Sequence, residues 1–340
     1  MVFSMTNAVN NSIVAMKRDM TGKLSDAEVY MTHGNGTGEQ TIDPLGSQGS
    51  VILSSDGRFL FAVNAGSNNI SSFLVQQGRL RLVDVVYSGG VRPNSLANIG
   101  TFLYVTNSGD ATHFSNVTGF QISPDGHLNQ INSGTMPLSA ANAGPGCVII
   151  SNFGHKLVVS EKATNALSIF QVQSDGTLLY QKIYRSVGTV PFGSVFFNNN
   201  LLLVCEAGPN ALSSYTITAD GVLTVISGSV LNNQKATCWV SADSNRKHAY
   251  TSNAGSGTIT DYLINNDGSL TIVGSISSTP QGDAPLDSAI DKSGQNFYVL
   301  NGNEGSISAF EIGENGQLAL LQVYKDTKLP QMGAQGLAVL

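Results

Sequence analysis

The chain repeats one phrase seven times, and that repetition constrains its fold more than any other feature. Each copy runs as an apolar strand, an Asn or Glu, a polar loop, an alternating strand and a turn ending Gly-x-Leu. The Asn/Glu slots are Asn7, Asn64, Asn107, Glu161, Glu206, Asn253 and Asn301. The turn glycines are Gly22, Gly78, Gly126, Gly176, Gly221, Gly268 and Gly316, spaced 56, 48, 50, 45, 47 and 48 residues apart. Most of these turns read Asp-Gly or Asn-Gly, as in "SPDGHL" and "ENGQL". That is a hairpin signal, which rests on positive φ at the central turn positions. A second turn family precedes the slot in "SSDGRFLFAVN" (54–64), "SNFGHKLVVSE" (151–161) and "DKSGQNFYVLN" (291–301).

Each unit therefore holds four strands joined by hairpin-like links. Seven such units predict an all-β, seven-bladed β-propeller of four-stranded antiparallel blades, with residues 1–340 as a single domain. A solenoid would need capping repeats, and none is visible. The end of the chain, "GAQGLAVL" (333–340), reads as an innermost strand, while "VFSMTN" at the start reads as a second strand. The last strand is thus expected to complete the first blade. From Gly316 through the end and on to Gly22 is 46 residues, one ordinary period.

Composition narrows the function classes. Only 12% of residues are charged and the net charge is −6, with no Lys/Arg cluster, which argues against nucleic-acid binding. No apolar run reaches the roughly 20 residues of a membrane helix. The first residues lack a signal-peptide pattern, so the expected location is cytoplasmic, or secreted if a leader was trimmed. Cys147, Cys205 and Cys238 lie in strand-like runs and read as buried free thiols. Four N-x-S/T sequons, at Asn10, Asn35, Asn69 and Asn116, permit secretion without showing it. No nucleophile elbow, phosphate loop or Cys/His metal spacing is present, so neither metal nor cofactor is expected. The expected partner is a small-molecule substrate, and a closed ring needs no second copy, so a monomer is expected.

Strands can be lettered a to d from the channel outward. The a–b and c–d turns then share one plain face, and the b–c and d–a links share a richer one. The long link "THGNGTGEQTIDPLGSQG" (32–49) and the insertion "SGDATHFSN" (108–116) fall on the rich face. Long loops at a channel mouth are where a site is expected. Candidate catalytic residues there are Glu206, Glu161, His113 and Arg92. An Asn closing strand b caps the loop that follows, whereas Glu caps it less well and is free for acid–base work or for a salt bridge, Glu161 with Lys162 or Arg92. Candidate substrate contacts on the links and strand starts are Gln48, Asn94, Phe192 and Lys235. Trp239, Asp287, Gln335 and His33 complete that set.

The repeat "SSDGRFLFAVNAGSNNISSFLVQQGRLRLVDVVYSGGVRP" (54–93) resembles the lactonase-like seven-bladed propellers, which include 6-phosphogluconolactonases and carboxymuconate lactonizing enzymes. The resemblance spans all seven units. It implies a His after the Pro opening one strand a, an Arg after the Pro of the next, and a Glu at the end of strand b. The matching stretches here are "GPGCVII" (144–150) and "VPFGSVFF" (190–197), so Gly146 and Phe192 replace the His and the Arg, and Glu206 matches the Glu. Losing both polar groups makes the channel more apolar. The leading expectation is a cyclase of secondary metabolism, of the hetero-Diels–Alder kind found in some fungal members. It would act by confinement in an apolar pocket bounded by Phe192 and Trp239. The alternatives are a lactone hydrolase using Glu206 with His113 or Arg92, and a non-catalytic ligand-binding propeller.

Overall fold

A computed structural model describes residues 1–151 and 153–340; Asn152, in the "SNFG" turn, lies outside the described residues. Twenty-eight strands form seven four-stranded sheets, all paired antiparallel. The innermost strands are Gln335–Val339, Val51–Leu53, Pro93–Ile99, Pro145–Ile150, Pro191–Phe196, Thr237–Asp243 and Pro285–Ile290. Each contacts the next around a closed ring. The architecture is the expected seven-bladed propeller.

The first blade takes its inner strand from the far end of the chain. Its order is Gln335–Val339, Val2–Met5, Ser12–Arg18, Leu24–Met31. Val2 pairs with Val339 and Phe3 with Ala338. All four residues of Val2–Met5 are fully buried, so the closing strand covers an apolar edge that would otherwise face the axis.

The hairpin turns differ in detail from the expectation. In "SPDGH" the Gly126 N–H donates to Ser123 C=O at 2.9 Å, and Gly126 alone has positive φ (97°). This is a four-residue turn followed by a left-handed Gly bulge, not a two-residue turn with positive φ twice. The Asp stays right-handed and accepts hydrogen bonds two residues on, as Asp175 does from Thr177 N–H at 3.0 Å. Between blades, apolar side chains from facing sheets interlock. Val158, Leu167, Ile169, Leu202, Val204 and Tyr215, from the fourth and fifth blades, form one such seam. No helix long and apolar enough to cross a membrane occurs among the described residues.

Candidate functional site

Six of the seven slot residues end strand b, Asn7 lies just past Val2–Met5, and all seven are at most 1% exposed. In four blades the side chain binds the hydroxyl seven positions on, across the b–c hairpin, whereas Asn107 binds Asn116 and Asn7 binds Thr37. Asn64 Nδ2 donates to Ser71 Oγ (2.8 Å), Asn253 to Thr260 (2.9 Å) and Asn301 to Ser308 (2.9 Å). The strand-c hydroxyl then donates onward to the d–a link, Ser71 to Thr32 C=O and Ser308 to Ser278 C=O, both at 2.7 Å. Glu reverses the direction of this relay. Ser168 Oγ donates to Glu161 Oε1, and the link itself donates through Ser139 N–H (3.2 Å) and Ser139 Oγ. Thr164 adds a hydroxyl at 2.7 Å. Glu161 is therefore held by hydroxyls, not by the salt bridge to Lys162 or Arg92 named above.

Glu206 repeats the arrangement with one oxygen unfilled. Ser186 Oγ (2.7 Å) and Tyr215 O–H (3.1 Å) donate to Oε1, while Oε2 is buried without a hydrogen bond. Burial raises its pKa, and the nearby Ser186 and Tyr215 hydroxyls oppose the rise. Neither Glu reaches the channel mouth.

The mouth is occupied by the chain itself. Residues 45–49 of the long link cross the axis. Gln48 Nε2 donates to Ser194 C=O (3.0 Å) and its Oε1 accepts from Val240 N–H (2.9 Å), which ties the fifth and sixth blades. Trp239 Nε1 donates to Ser47 C=O (3.0 Å), Gln48 N–H to Gly146 C=O (2.9 Å), and Gly49 N–H to Asp287 (2.9 Å). Phe192 and Trp239 pack edge to face with centroids 5.2 Å apart, at 6% and 2% exposure. The apolar pocket expected between them is instead a packed contact sealed by Ser47 and Gln48.

Lys162, expected as a salt-bridge partner of Glu161, turns elsewhere. Lys162 donates to Gly46 C=O and lies over the Phe192 ring at 4.9 Å. Its stem covers Gly146, where a Cβ would sit 3.3 Å from Lys162 Cγ. A cation thus fills the region where the resemblance implies His and Arg, but it comes from the residue after a slot. Burial lowers the Lys162 pKa, against the pull of Asp43. Burial in turn raises the Asp43 carboxyl to about 6, against Lys162. Asp287, 2% exposed, is pushed up to about 7 by burial despite the amides it accepts. Gln335 is fully buried, with Nε2 on Ala334 C=O (2.9 Å) and Oε1 unfilled.

An open recess of about 290 Å³ lies beside the crossing segment, lined by Leu45, Arg92, Asn94, Ser108, Gly109 and Asp110. Arg92 is half exposed and makes a 3.4 Å ion pair with equally exposed Glu39. Its backbone is left-handed (φ 56°), held by Asn68 Oδ1 accepting its N–H at 2.9 Å. Asn94 is committed to Pro145 C=O (2.7 Å) and Thr106 (2.9 Å). His113 is exposed, with Nδ1 on Asp110 Oδ1 at 2.9 Å. Hydrogen bonds from the Thr112 amide and from His113 hold the Asp110 carboxyl well below its ordinary pKa. The Asp-x-x-His spacing with Thr112 was readable as a side-chain-capped turn, and that signal could have found Asp110. Arg92 lines the recess directly, and His113 is joined to it through Asp110. Lys235 and His33 are exposed elsewhere on the links, apart from it. All three cysteines are buried free thiols.

A family model described as "Lactonase, 7-bladed beta-propeller" matches residues 2–115 and 206–335. No curated protein sequence matches the chain. Among solved structures, a Lactobacillus plantarum protein is similar at 16% identity over 99% of this chain and 97% of its own, with TM-score 0.78. The Pseudomonas aeruginosa periplasmic gluconolactonase is similar at 15% identity over 98% and 99%, with TM-score 0.77. A Bacteroides fragilis protein titled as a candidate 6-phosphogluconolactonase reaches 18% identity over 99% and 96%, with TM-score 0.74.

Proposed function

The chain belongs to the lactonase family of seven-bladed β-propellers, and from that premise we propose that it hydrolyses a small lactone, as a monomer, at the recess beside Arg92. The observation that carries this reading is that Asp110 lines the open recess together with Arg92 and orients His113 through Nδ1. His113 Nε2 takes a proton from water, and the resulting hydroxide attacks the lactone carbonyl. The Arg92 guanidinium stabilises the oxyanion, the ring C–O bond breaks, and the imidazolium returns its proton to the leaving alkoxide. The product is the open hydroxy acid. Asp110, kept ionised by its amide and hydroxyl donors, stabilises the imidazolium. Glu206, named above for this chemistry, is buried in a blade edge and leaves the base role to His113. The cyclase reading relies on a cavity between Phe192 and Trp239, and the two rings close on each other there.

The test is a pH-indicator assay of hydroxy-acid release from five- and six-membered lactones. His113→Gln is expected to lower kcat/KM by about 10²–10⁴-fold. Arg92→Gln is expected to lower kcat by about 10²-fold. An unchanged rate in His113→Gln refutes the assignment.

A further inference from the structure

A second recess, of about 270 Å³, opens on the outer flank at the seam of the sixth and seventh blades, far from the rich-face loops. It is lined by Ile259, Asp261, Val273, Ile276, Gln317 and Leu318, with Gly274 and Ser275 between the two β-branched residues. The recess exists because Gly274 pairs opposite Asp261, and a Cβ built on Gly274 meets no atom within 4 Å. Its apolar wall is formed by Ile259, Val273, Ile276 and Leu318, and Ser275 and Gln317 add polar groups. Its one carboxylate, Asp261, has a side chain only 14% exposed. Asp261 Oδ1 pairs with His248 Nδ1 at 2.6 Å, and Oδ2 takes no hydrogen bond from the described residues. No Lys or Arg pairs with it among those residues. His248 cannot turn its other nitrogen outward, because the ring packs on Gly316 of the next blade and is nearly buried.

We propose that this recess binds a small primary amine carrying an apolar body, its ammonium donating to Asp261 Oδ2 and its apolar part lying on Val273, Ile276 and Leu318. A largely buried carboxylate with one oxygen open to the recess favours a cation or strong donor there. The apolar wall rewards a hydrocarbon body over water. The volume lies at the small end of ligand cavities, which restricts the guest to about the size of benzylamine. Gln317, at the mouth, offers a side-chain carbonyl to a second ammonium hydrogen.

Benzylamine and benzyl alcohol serve as probes, titrated into the intact protein and read by chemical shift or calorimetry. Wild type is expected to bind benzylamine saturably, at least 10-fold tighter than the alcohol. Asp261→Asn is expected to abolish that preference. Gly274→Leu, whose side chain enters open space without strain on the strand, is expected to abolish binding of both while thermal unfolding stays cooperative. Absence of saturable benzylamine binding to wild type overturns the proposal. So does equal binding by wild type, Asp261→Asn and Gly274→Leu.

Discussion

Glu161 and Glu206 occupy positions that hold Asn in five other blades, and the reason is local hydrogen-bond direction. An Asn donates to the strand-c hydroxyl, which in turn donates a hydrogen bond to the link carbonyl. A carboxylate can only accept, so hydroxyl and link must both donate toward it. The link before Glu161 offers Ser139, and the link before Glu206 offers Ser186. Replacing Glu161 with Ala removes the fully buried acceptor on which Ser139, Thr164 and Ser168 converge. Glu161→Ala is expected to cost on the order of 3 kcal/mol, read as a lower urea midpoint with unchanged m-value. Lactone hydrolysis at the Arg92 recess should persist in the folded fraction, and loss of activity without loss of stability would reinstate Glu161 as a chemical group. That these two slots were unusual was legible in the sequence. Their partners were not, because Ser139 lies 22 residues before Glu161 and meets it only across a blade boundary.

The elements follow local rules closely. Turn glycines sit where the left-handed bulge needs them, and Asp side chains cap the same turns. The entry to strand a is less ideal. Arg92, Val190 and Ala236, each directly before strand a, all have φ between 54° and 56°. Asn side chains from the preceding b–c turn hold two of them, Asn68 on Arg92 N–H and Asn165 on Val190 N–H (2.7 Å). A β-branched residue in this region is strained by roughly 1–2 kcal/mol. Val190→Gly is therefore expected to raise stability by up to about 1 kcal/mol after the entropy Gly adds to the unfolded chain. Differential scanning calorimetry checks this, and a lower midpoint would show that the Val190 side chain packs better than its backbone strains. Strand periods and turns were readable from sequence. The strand-a entry conformation was not, because neither Val nor Ala advertises a positive φ.

At the scale of the molecule, the ring is held by two devices that meet at Asp287. The C-terminal strand closes the first blade, and residues 45–49 span the axis. Asp287 accepts Gly49 N–H from the crossing segment and Gly336 N–H from the closing strand. Burial raises its pKa to about 7, and that of Asp43 to about 6. An acid with a raised folded pKa binds more protons folded than unfolded. Stability is then greatest near the unfolded pKa, around pH 4, and falls as pH rises toward the folded value. The urea midpoint is expected to fall between pH 4.5 and 6.5, with a shallower slope in Asp287→Asn. A slope untouched by that substitution would mean Asp287 titrates normally.

Sequence alone determined the architecture: seven copies of a four-strand phrase, with hairpin turns at fixed offsets, leave a ring as the arrangement without bare ends, and the mismatched termini show how it closes. These signals are local and periodic, so they survive without knowledge of contacts. Only the tertiary structure decided which polar groups face the mouth. It turned both Glu side chains into blade edges, brought Lys162 over Phe192, laid Gln48 across the axis, and set Arg92 beside Asp110. A propeller assembles its mouth from residues far apart along the chain, and the direction of each side chain is fixed by neighbours in another blade.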